Sequence, residues 1–317
     1  ITALKEATGL ARQKKVTYGI LTPSFHVGKN TWSLLSEVQK LAGSGLALDK
    51  MLDLFESQAG KPIYFGLDVS PYAMWPGIGF ALAIETHSSL VAHNNVAVDI
   101  EAGLGFTIPV GYARNFFEKR LSVGGTLKLM GRGGIDGEFD IDSLAAISKD
   151  SDSLAEKTNG GTAIGFDFGL LFTPTSRFEP TLGLSVTDFG GTTFSKAKIG
   201  SSSTSAPRPR LASVNTGFSL KPYKTEKMFV RVSCDAHSIN QYIHYSHKLN
   251  FGVEYGYLSI LRVQAGLKEG YLTGGIAIDA KLLQIRLATY FVDHAPVVGT
   301  HENLVEQRFA FQMKLLI

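Results

Sequence analysis

Only one of the 317 residues is a cysteine, Cys234, so the chain cannot form an intramolecular disulfide and its fold does not depend on one. Charged residues make up 19% of the chain, below the ~25% usual in soluble proteins. The formal net charge of +3 is spread along the sequence without basic runs, which argues against a nucleic-acid-binding surface. No segment approaches the ~20 consecutive apolar residues of a membrane helix, and residues 1–15 lack the apolar core of a signal peptide.

Alternation of apolar and polar residues dominates the chain from residue 61 onward. Residues 94–113 are the longest example, because their even positions are apolar and their odd positions are mostly small or charged. Successive side chains point to opposite faces of a strand, so this pattern predicts one greasy face and one small or polar face. The same split recurs in residues 120–132, 161–173, 228–237, 249–255, 261–268, 272–279, 283–290 and 308–317.

The sheets of soluble sandwiches also alternate, but three features favour a membrane barrel. The predicted strands have about ten or more residues, whereas strands of globular proteins have ~5–6. The polar face is rich in Gly, Ser, Thr and isolated charges and poor in Lys and Glu. The apolar alternation of residues 309–317 suits a strand that closes a barrel in lipid, where open sheet edges are not tolerated. We therefore predict an all-β fold, a transmembrane antiparallel β-barrel of about 14 strands that spans residues 1–317 as a single unit.

The strand boundaries follow from the turn-forming residues between the alternating segments. Short connections at 174–177 and 222–226 suit the periplasmic side, and longer ones at 133–160, 190–206 and 295–304 suit the opposite rim. The predicted strands are 15–27, 62–72, 76–90, 95–114, 119–133, 161–174, 178–189, 207–221, 227–239, 247–257, 259–268, 270–280, 282–294 and 305–317.

Residues 30–60 break the alternation and predict two short amphipathic helices, separated by Gly43-Ser44-Gly45. We expect them to plug the lumen and to offer Trp32, Leu35, Leu52 and Phe55 to a ligand. An amphipathic pair resting on the membrane or the barrel rim is the alternative. A further short, acidic helix is expected within residues 139–156.

The sequence offers little catalytic chemistry. Ser233, Asp235 and His237 are the residue types of an acyl-transfer triad, but positions two apart on one strand lie roughly 7 Å from each other, too far for a relay. His244 and His247 fit an interfacial aromatic girdle better than a metal site, and a phosphate-binding interpretation of the glycine-rich residues 131–137 is weak. We expect no enzyme activity and no cofactor.

Charged residues on the inward face form the more informative set. By the alternation these are Lys128, Arg132, Arg231, Arg262, Lys268, Arg286, Arg308 and Lys314, with Asp99, Glu101, Asp167, Asp235, Glu254 and Asp279. Mixed signs on neighbouring strands can pair across a ladder, and we predict the pairs Glu254/Arg262 and Asp279/Arg286. Arg231, Glu254, Arg262 and Arg286 are the candidate contacts for a polar head group, although a structural network is the simpler interpretation.

Several of these segments resemble the FadL-like and PorV-like superfamily of outer-membrane proteins. A G-x-E-Y strand (Gly252, Glu254, Tyr255), an R-x-G-like strand (Arg262, Gly266) and a G-G-I strand (Gly274–Ile276) are similar to the C-terminal part of that barrel. Residues 121–134 look like its L-x-V-G-x-x-x-K strand, and residues from 306 onward are similar to the closing strand of its TraF-like branch. The N-P-A-G segment usual near the N-terminus of these families is absent.

The resemblance implies a plugged barrel in the bacterial outer membrane, surrounded by its lipids. Members pass hydrophobic molecules or serve as scaffolds, so two functions are expected. The first is passage of small hydrophobic or amphipathic molecules. The alternative is a non-transporting barrel that anchors a lipoprotein or another partner of a surface assembly.

Overall fold

The computed structural model describes residues 16–44, 57, 59–92, 97–139, 158–199, 202–203, 205–280, 282–294 and 305–316. These residues form a closed barrel of fourteen antiparallel strands, as the sequence predicted. Three strands are interrupted by one or two residues and are counted once. The strands are β1 (Thr17–Leu21 and Pro23–Gly28), β2 (Ile63–Val69 and Tyr72–Trp75), β3 (Ile78–Ala81 and Ala83–Ala92), β4 (Val98–Phe116), β5 (Leu121–Phe139), β6 (Thr158–Phe172), β7 (Thr181–Thr187), β8 (Ser213–Lys224), β9 (Met228–Ala236), β10 (Leu249–Tyr257), β11 (Leu261–Lys268), β12 (Tyr271–Asp279), β13 (Leu283–Asp293) and β14 (Val305–Leu316).

Each strand pairs with its neighbours in sequence, and β14 pairs back to β1 to close the ring. The longest ladder joins β4 and β5 without a break, from Val98 opposite Phe139 to Phe116 opposite Leu121. The glycine-rich residues 131–137 belong to this ladder, so the predicted end of the strand at residue 133, with a loop after it, is wrong. Glycine favoured a loop in the sequence, but all of residues 131–137 pair with β4, and residues 131–135 also pair with β6.

The connections divide into two kinds at the two ends of the barrel. One end carries only short turns, such as Pro76-Gly77 and residues 117–120, and we call it the short-turn rim. The other end, the long-loop rim, carries the connections at 29–62, 140–157, 188–212 and 294–304. This division agrees with the predicted loops, except that β5 extends to Phe139 and β6 starts at Thr158.

A helix, α1 (Lys29–Ser44), follows β1 directly at the long-loop rim. Asn30 donates a hydrogen bond to the Pro62 carbonyl (3.0 Å), and the Thr31 hydroxyl donates to that of Tyr64 (2.8 Å), which attaches the first turn to β2. The second predicted helix and the acidic helix expected within 139–156 lie outside the described residues apart from single positions at their ends. In the part of the chain that the structure describes, no helix is long and apolar enough to cross a membrane.

The outer face of the strands is apolar, as the alternation predicted. On β4 alone Leu104 is 62% exposed and Val110 49%. The same face continues around the wall through residues such as Phe166 on β6, Phe251 on β10 and Leu287 on β13. A contiguous apolar belt of this extent does not remain exposed to water on a soluble protein, but it matches the lipid-facing band of a transmembrane barrel.

Candidate functional site

The connection between β7 and β8, residues 188–212, folds into the barrel against the inner side of β5 and β6. Its backbone first follows the free edge of β6, where Ser195 N–H donates to the Thr162 carbonyl and Ala197 N–H to that of Gly160, both at 2.8 Å. A Cβ atom at Gly161 would lie 1.8 Å from the Ser195 carbonyl oxygen, so only glycine allows this approach. The described residues of this connection (188–199, 202–203 and 205–212) therefore occupy part of the lumen, and we call them the infolded connection.

Lys128 anchors the infolded connection to the wall. Its ammonium lies 2.7 Å from a carboxylate oxygen of Asp167 on β6 and 2.8 Å from one of Asp188, the first residue of the connection. All three side chains are 14% exposed or less. The Thr192 hydroxyl also donates to Asp188 (3.0 Å), so one carboxylate receives two donors. Beside this group Phe194 packs with Met130 and Ala163 in a small buried apolar cluster.

The far end of the infolded connection is held by ion pairs to the acidic wall of the barrel. Arg210 lies 3.7 Å from Glu85 on β3, and Arg132 on β5 approaches the same carboxylate to 3.4 Å. Arg208 is 2.9 Å from Asp136 on β5. Both ends of the connection are thus fixed by charge, on the side of the lumen formed by β3 to β6.

A cavity of about 640 Å³ occupies the other side of the lumen, between β7 and β13. Its hydroxyl and amide groups come from Thr181, Asn215, Ser219, Ser233, Gln264 and Thr273. Its charged groups come from Glu179, Lys221, Arg231, Asp235, Glu254 and Lys268. The volume is within the range of ~300–1,000 Å³ common for small-molecule sites.

Apolar residues that border this cavity mostly turn their side chains to the outer face. Phe218, Phe251 and Val253 are 40%, 51% and 48% exposed on the apolar belt and meet the cavity only through their backbone. Leu171 and Ala288 contribute apolar surface, and Tyr290 offers a ring over which Lys268 lies at 5.1 Å. The cavity is therefore mixed: most of its surface is apolar, but hydroxyl, amide and charged side chains enter it from several strands.

The four candidate head-group contacts lie together on the inward faces of β9 to β13, in two tiers. In the upper tier Arg231 is 3.2 Å from Glu254 and the Gln264 amide donates to the same carboxylate at 2.5 Å. In the lower tier, one register step toward the short-turn rim, Arg262 pairs with Asp279. Arg286 lies in the same tier, across Ala277 from Arg262. Their role as ligand contacts stays a prediction.

The predicted pairs Glu254/Arg262 and Asp279/Arg286 are wrong by one strand. Register decides the outcome, because Arg231 stands directly opposite Glu254 while Arg262 stands opposite Gly256. Arg262 instead reaches diagonally along the ladder to Asp279. Among the described residues no carboxylate lies within salt-bridge distance of Arg286.

Two titratable groups border the cavity just beyond the ends of strands. Burial alone would raise the pKa of Glu179, in the turn before β7, but hydrogen bonds from Lys221 and Lys224 outweigh it and hold that pKa below its ordinary value. Burial lowers the pKa of His237, after β9, and the nearby charge of Lys268 lowers it further. His237 is therefore neutral near pH 7, and one of its ring nitrogens can accept a hydrogen bond.

The apolar residues predicted to line a plug are only partly described. Trp32 is on α1 at the long-loop rim, where its side chain is 60% exposed. Leu35 belongs to the same helix, but its side chain is outside the described part of the structure, as are Leu52 and Phe55. The proposal that these four residues contact a ligand stays a prediction.

The weaker chemical candidates have structural explanations. The Ser233 hydroxyl donates to the Gly252 carbonyl across the ladder at 3.4 Å, while His237 lies beyond the end of the strand. His244 contacts the Ser246 hydroxyl at 2.7 Å, and His247 approaches Glu269 at 3.3 Å. Within the described residues no group of three His, Cys, Asp or Glu side chains could hold a metal ion.

Sequence reasoning missed the infolded connection, which it interpreted as an outer-rim loop. The segment itself carries little signal, because residues 188–212 are rich in Ser, Thr, Lys and Arg, as exposed loops are. Gly190 and Gly191 have φ of +79° and +81°, which lets the chain reverse into the lumen.

A closed fourteen-stranded barrel with an apolar outer belt and a polar, partly filled lumen is the architecture of a transmembrane β-barrel. The toluene transporter TbuX of Ralstonia pickettii has a similar fold, with a TM-score of 0.54 at 12% identity over 98% of this chain and 91% of that one. The monoaromatic hydrocarbon channel CymD also gives a TM-score of 0.54, at 10% identity over 98% and 92% of the two chains. The resemblance to FadL-like outer-membrane barrels is thus confirmed for the fold. No family model and no curated protein matches the chain.

Proposed function

We propose that this protein is a barrel of the bacterial outer membrane through which small amphipathic molecules pass. The observation that carries the proposal is the cavity of about 640 Å³ inside the barrel, which is lined by residues from the end of β6 to β13. The fold shared with TbuX and CymD, a transporter and a channel, supports passage over catalysis.

Within the broader class of hydrophobic and amphipathic cargo, the cavity lining favours the amphipathic kind. A hydrocarbon gains free energy where it removes apolar surface from water, at roughly 25 cal/mol per Å². Apolar atoms make up the larger share of the cavity surface and can give such a gain to an apolar chain, while the hydroxyl, amide and charged groups that enter it can solvate a polar head group.

Uptake into proteoliposomes tests this proposal directly. We expect an amphipathic solute such as norleucine to enter vesicles that contain the protein faster than empty vesicles. Ala288 lines the cavity, so Ala288→Trp should fill part of it and slow uptake. Lys119→Gln, on an exposed turn of the short-turn rim, is the matched control and should leave uptake unchanged.

The alternative, a barrel that anchors a partner, makes a different prediction. Protein extracted gently from its own membrane would then carry a stoichiometric polypeptide in native mass spectrometry, and the proteoliposomes would show no uptake. That pair of results would refute the transport proposal. Bound small-molecule masses that disappear in the variant Trp32→Asp would support it and would assign the first plug helix to the cargo path.

A further inference from the structure

Below the cavity, the lower tier of inward residues contains one acceptor and one cation without a partner among the described residues: Oδ1 of Asp279 and the guanidinium of Arg286. Oδ1 of Asp279 is buried and accepts no hydrogen bond, although Oδ2 of the same carboxylate is paired with Arg262. The Asp279 side chain is only 9% exposed. A buried acceptor without a donor is destabilising, so such an atom is an unusual feature that a ligand's donor could satisfy.

Arg286 supplies the complementary feature on the neighbouring strand. Ala277 stands opposite Arg286, and Asp279 is two residues further along β12, opposite Gln284. Diagonal neighbours of this kind are ~7–8 Å apart, close enough for one small molecule to touch both. Because Asp279 forms its ion pair with Arg262, no carboxylate among the described residues pairs with Arg286.

The small side chain of Ala277 separates the two arginines of this tier. Arg262 and Arg286 both stand opposite it, on β11 and β13. The Ala277 side chain is itself buried (6% exposed), so a carboxylate in this tier would bind between the two guanidinium groups, and arginine favours such planar, charge-assisted contacts. Gln264, Gly275 and Ala288, one step above, line the cavity, so the tier lies directly between the cavity and the short-turn rim.

We propose that this tier is a binding subsite for a carboxylate that carries a hydrogen-bond donor on the adjacent carbon, as in an α-amino or α-hydroxy acid. The carboxylate binds Arg286 and Arg262, and the neighbouring ammonium or hydroxyl donates to Oδ1 of Asp279. This inference rests on the proposed function, because it names the chemical class of the cargo that leaves the cavity toward the short-turn rim.

Four solutes with the same straight six-carbon skeleton test the two halves of the subsite separately. Norleucine has carboxylate and donor, hexanoate has the carboxylate alone, hexylamine the donor alone, and hexanamide neither charge. Binding to the full-length protein in detergent is measured by calorimetry near neutral pH. We expect norleucine to bind about tenfold more tightly than hexanoate, which corresponds to ~1.4 kcal/mol. Hexylamine and hexanamide should bind more weakly still.

Variants locate the effect. Arg286→Gln should weaken norleucine and hexanoate alike, and Asp279→Asn should remove the advantage of norleucine while hexanoate still binds. Asp279→Asn could fail to fold, because Arg262 loses its partner. In that case the affinities of wild type for the four solutes, together with those of Arg286→Gln, still test the subsite. Equal affinities for norleucine and hexanoate, or affinities unchanged in Arg286→Gln, would overturn the subsite.

The two proposals fail in different ways. Norleucine that binds as expected but never enters proteoliposomes would leave the subsite standing and refute transport. Norleucine that enters vesicles without any preference over hexanoate in binding would support transport and refute the subsite.

Discussion

Replacing Lys128 with methionine should both destabilise the barrel and release the infolded connection. Its ammonium lies 2.7 Å from a carboxylate oxygen of Asp167 and 2.8 Å from one of Asp188. Methionine keeps most of the volume but leaves two nearly buried negative charges next to each other. Breaking a buried pair in this way costs ~3–5 kcal/mol, and the slight exposure of the three groups favours the lower part of that range.

Urea unfolding in detergent micelles measures the first effect. For a loss of about 3 kcal/mol and a urea m-value of ~3 kcal/mol/M, the midpoint should fall by about 1 M. Lys128→Arg keeps the charge and should lose much less. Combining Lys128→Met with Asp188→Asn removes one of the two repelling charges and should recover part of the midpoint.

Single-channel conductance in planar bilayers measures the second effect. Release of Asp188 detaches the start of the infolded connection from β5 and β6, so Lys128→Met should conduct more ions than wild type. A normal urea midpoint together with unchanged conductance would refute the view that this cluster holds the connection in the lumen.

Three other substitutions, with one control, probe the turn, the infolded connection and the outer belt. Glu179→Gln should lower stability at pH 7 by about 1 kcal/mol, because two lysines lose a charged acceptor. Because the pKa of Glu179 is depressed, its stabilisation is complete above the ordinary Glu pKa and is lost as the pH falls through the lower folded-state value, so urea midpoints of wild type and Glu179→Gln should converge in acid. Gly161→Ala should force Ser195 away and raise conductance, whereas Gly169→Ala, where nothing lies within 4 Å of the added Cβ, should change neither conductance nor stability. Val110→Arg should reduce stability in bilayers by ~2–4 kcal/mol, since Val110 faces lipid near the middle of β4, and an equally stable Val110→Arg would contradict the belt.

Most of the barrel could be predicted from the sequence because its information is local. The alternation within each strand fixes which residues face lipid, and the turns between strands fix their order, so all fourteen strands were anticipated. Lys128, Arg231 and Glu254 are inward for the same reason. The prediction failed where alternation cannot be seen. Residues 131–137 are an example, because their glycines have no side chain that shows which face they are on, and β5 continued through them.

Pairing within the lumen depends on register, which alternation does not determine. Glu254 pairs with Arg231 and Asp279 with Arg262, so each carboxylate has its partner on the neighbouring strand opposite to the predicted one. The infolded connection posed a harder problem, because Asp188 and Phe194 find their partners on β5 and β6, far away in sequence. Such contacts arise only after the barrel has formed, and no spacing within residues 188–212 specifies them.

The seam between β1 and β14 governs how the ring is completed. All other ladders join strands that are consecutive in sequence, whereas this one joins the first strand to the last. Its pairing is also interrupted, after Leu21. Hairpins can form early at small entropic cost, but closing the seam must wait until the whole array exists. The backbone amides of β1 should therefore gain protection last during folding and exchange with solvent first when the barrel opens.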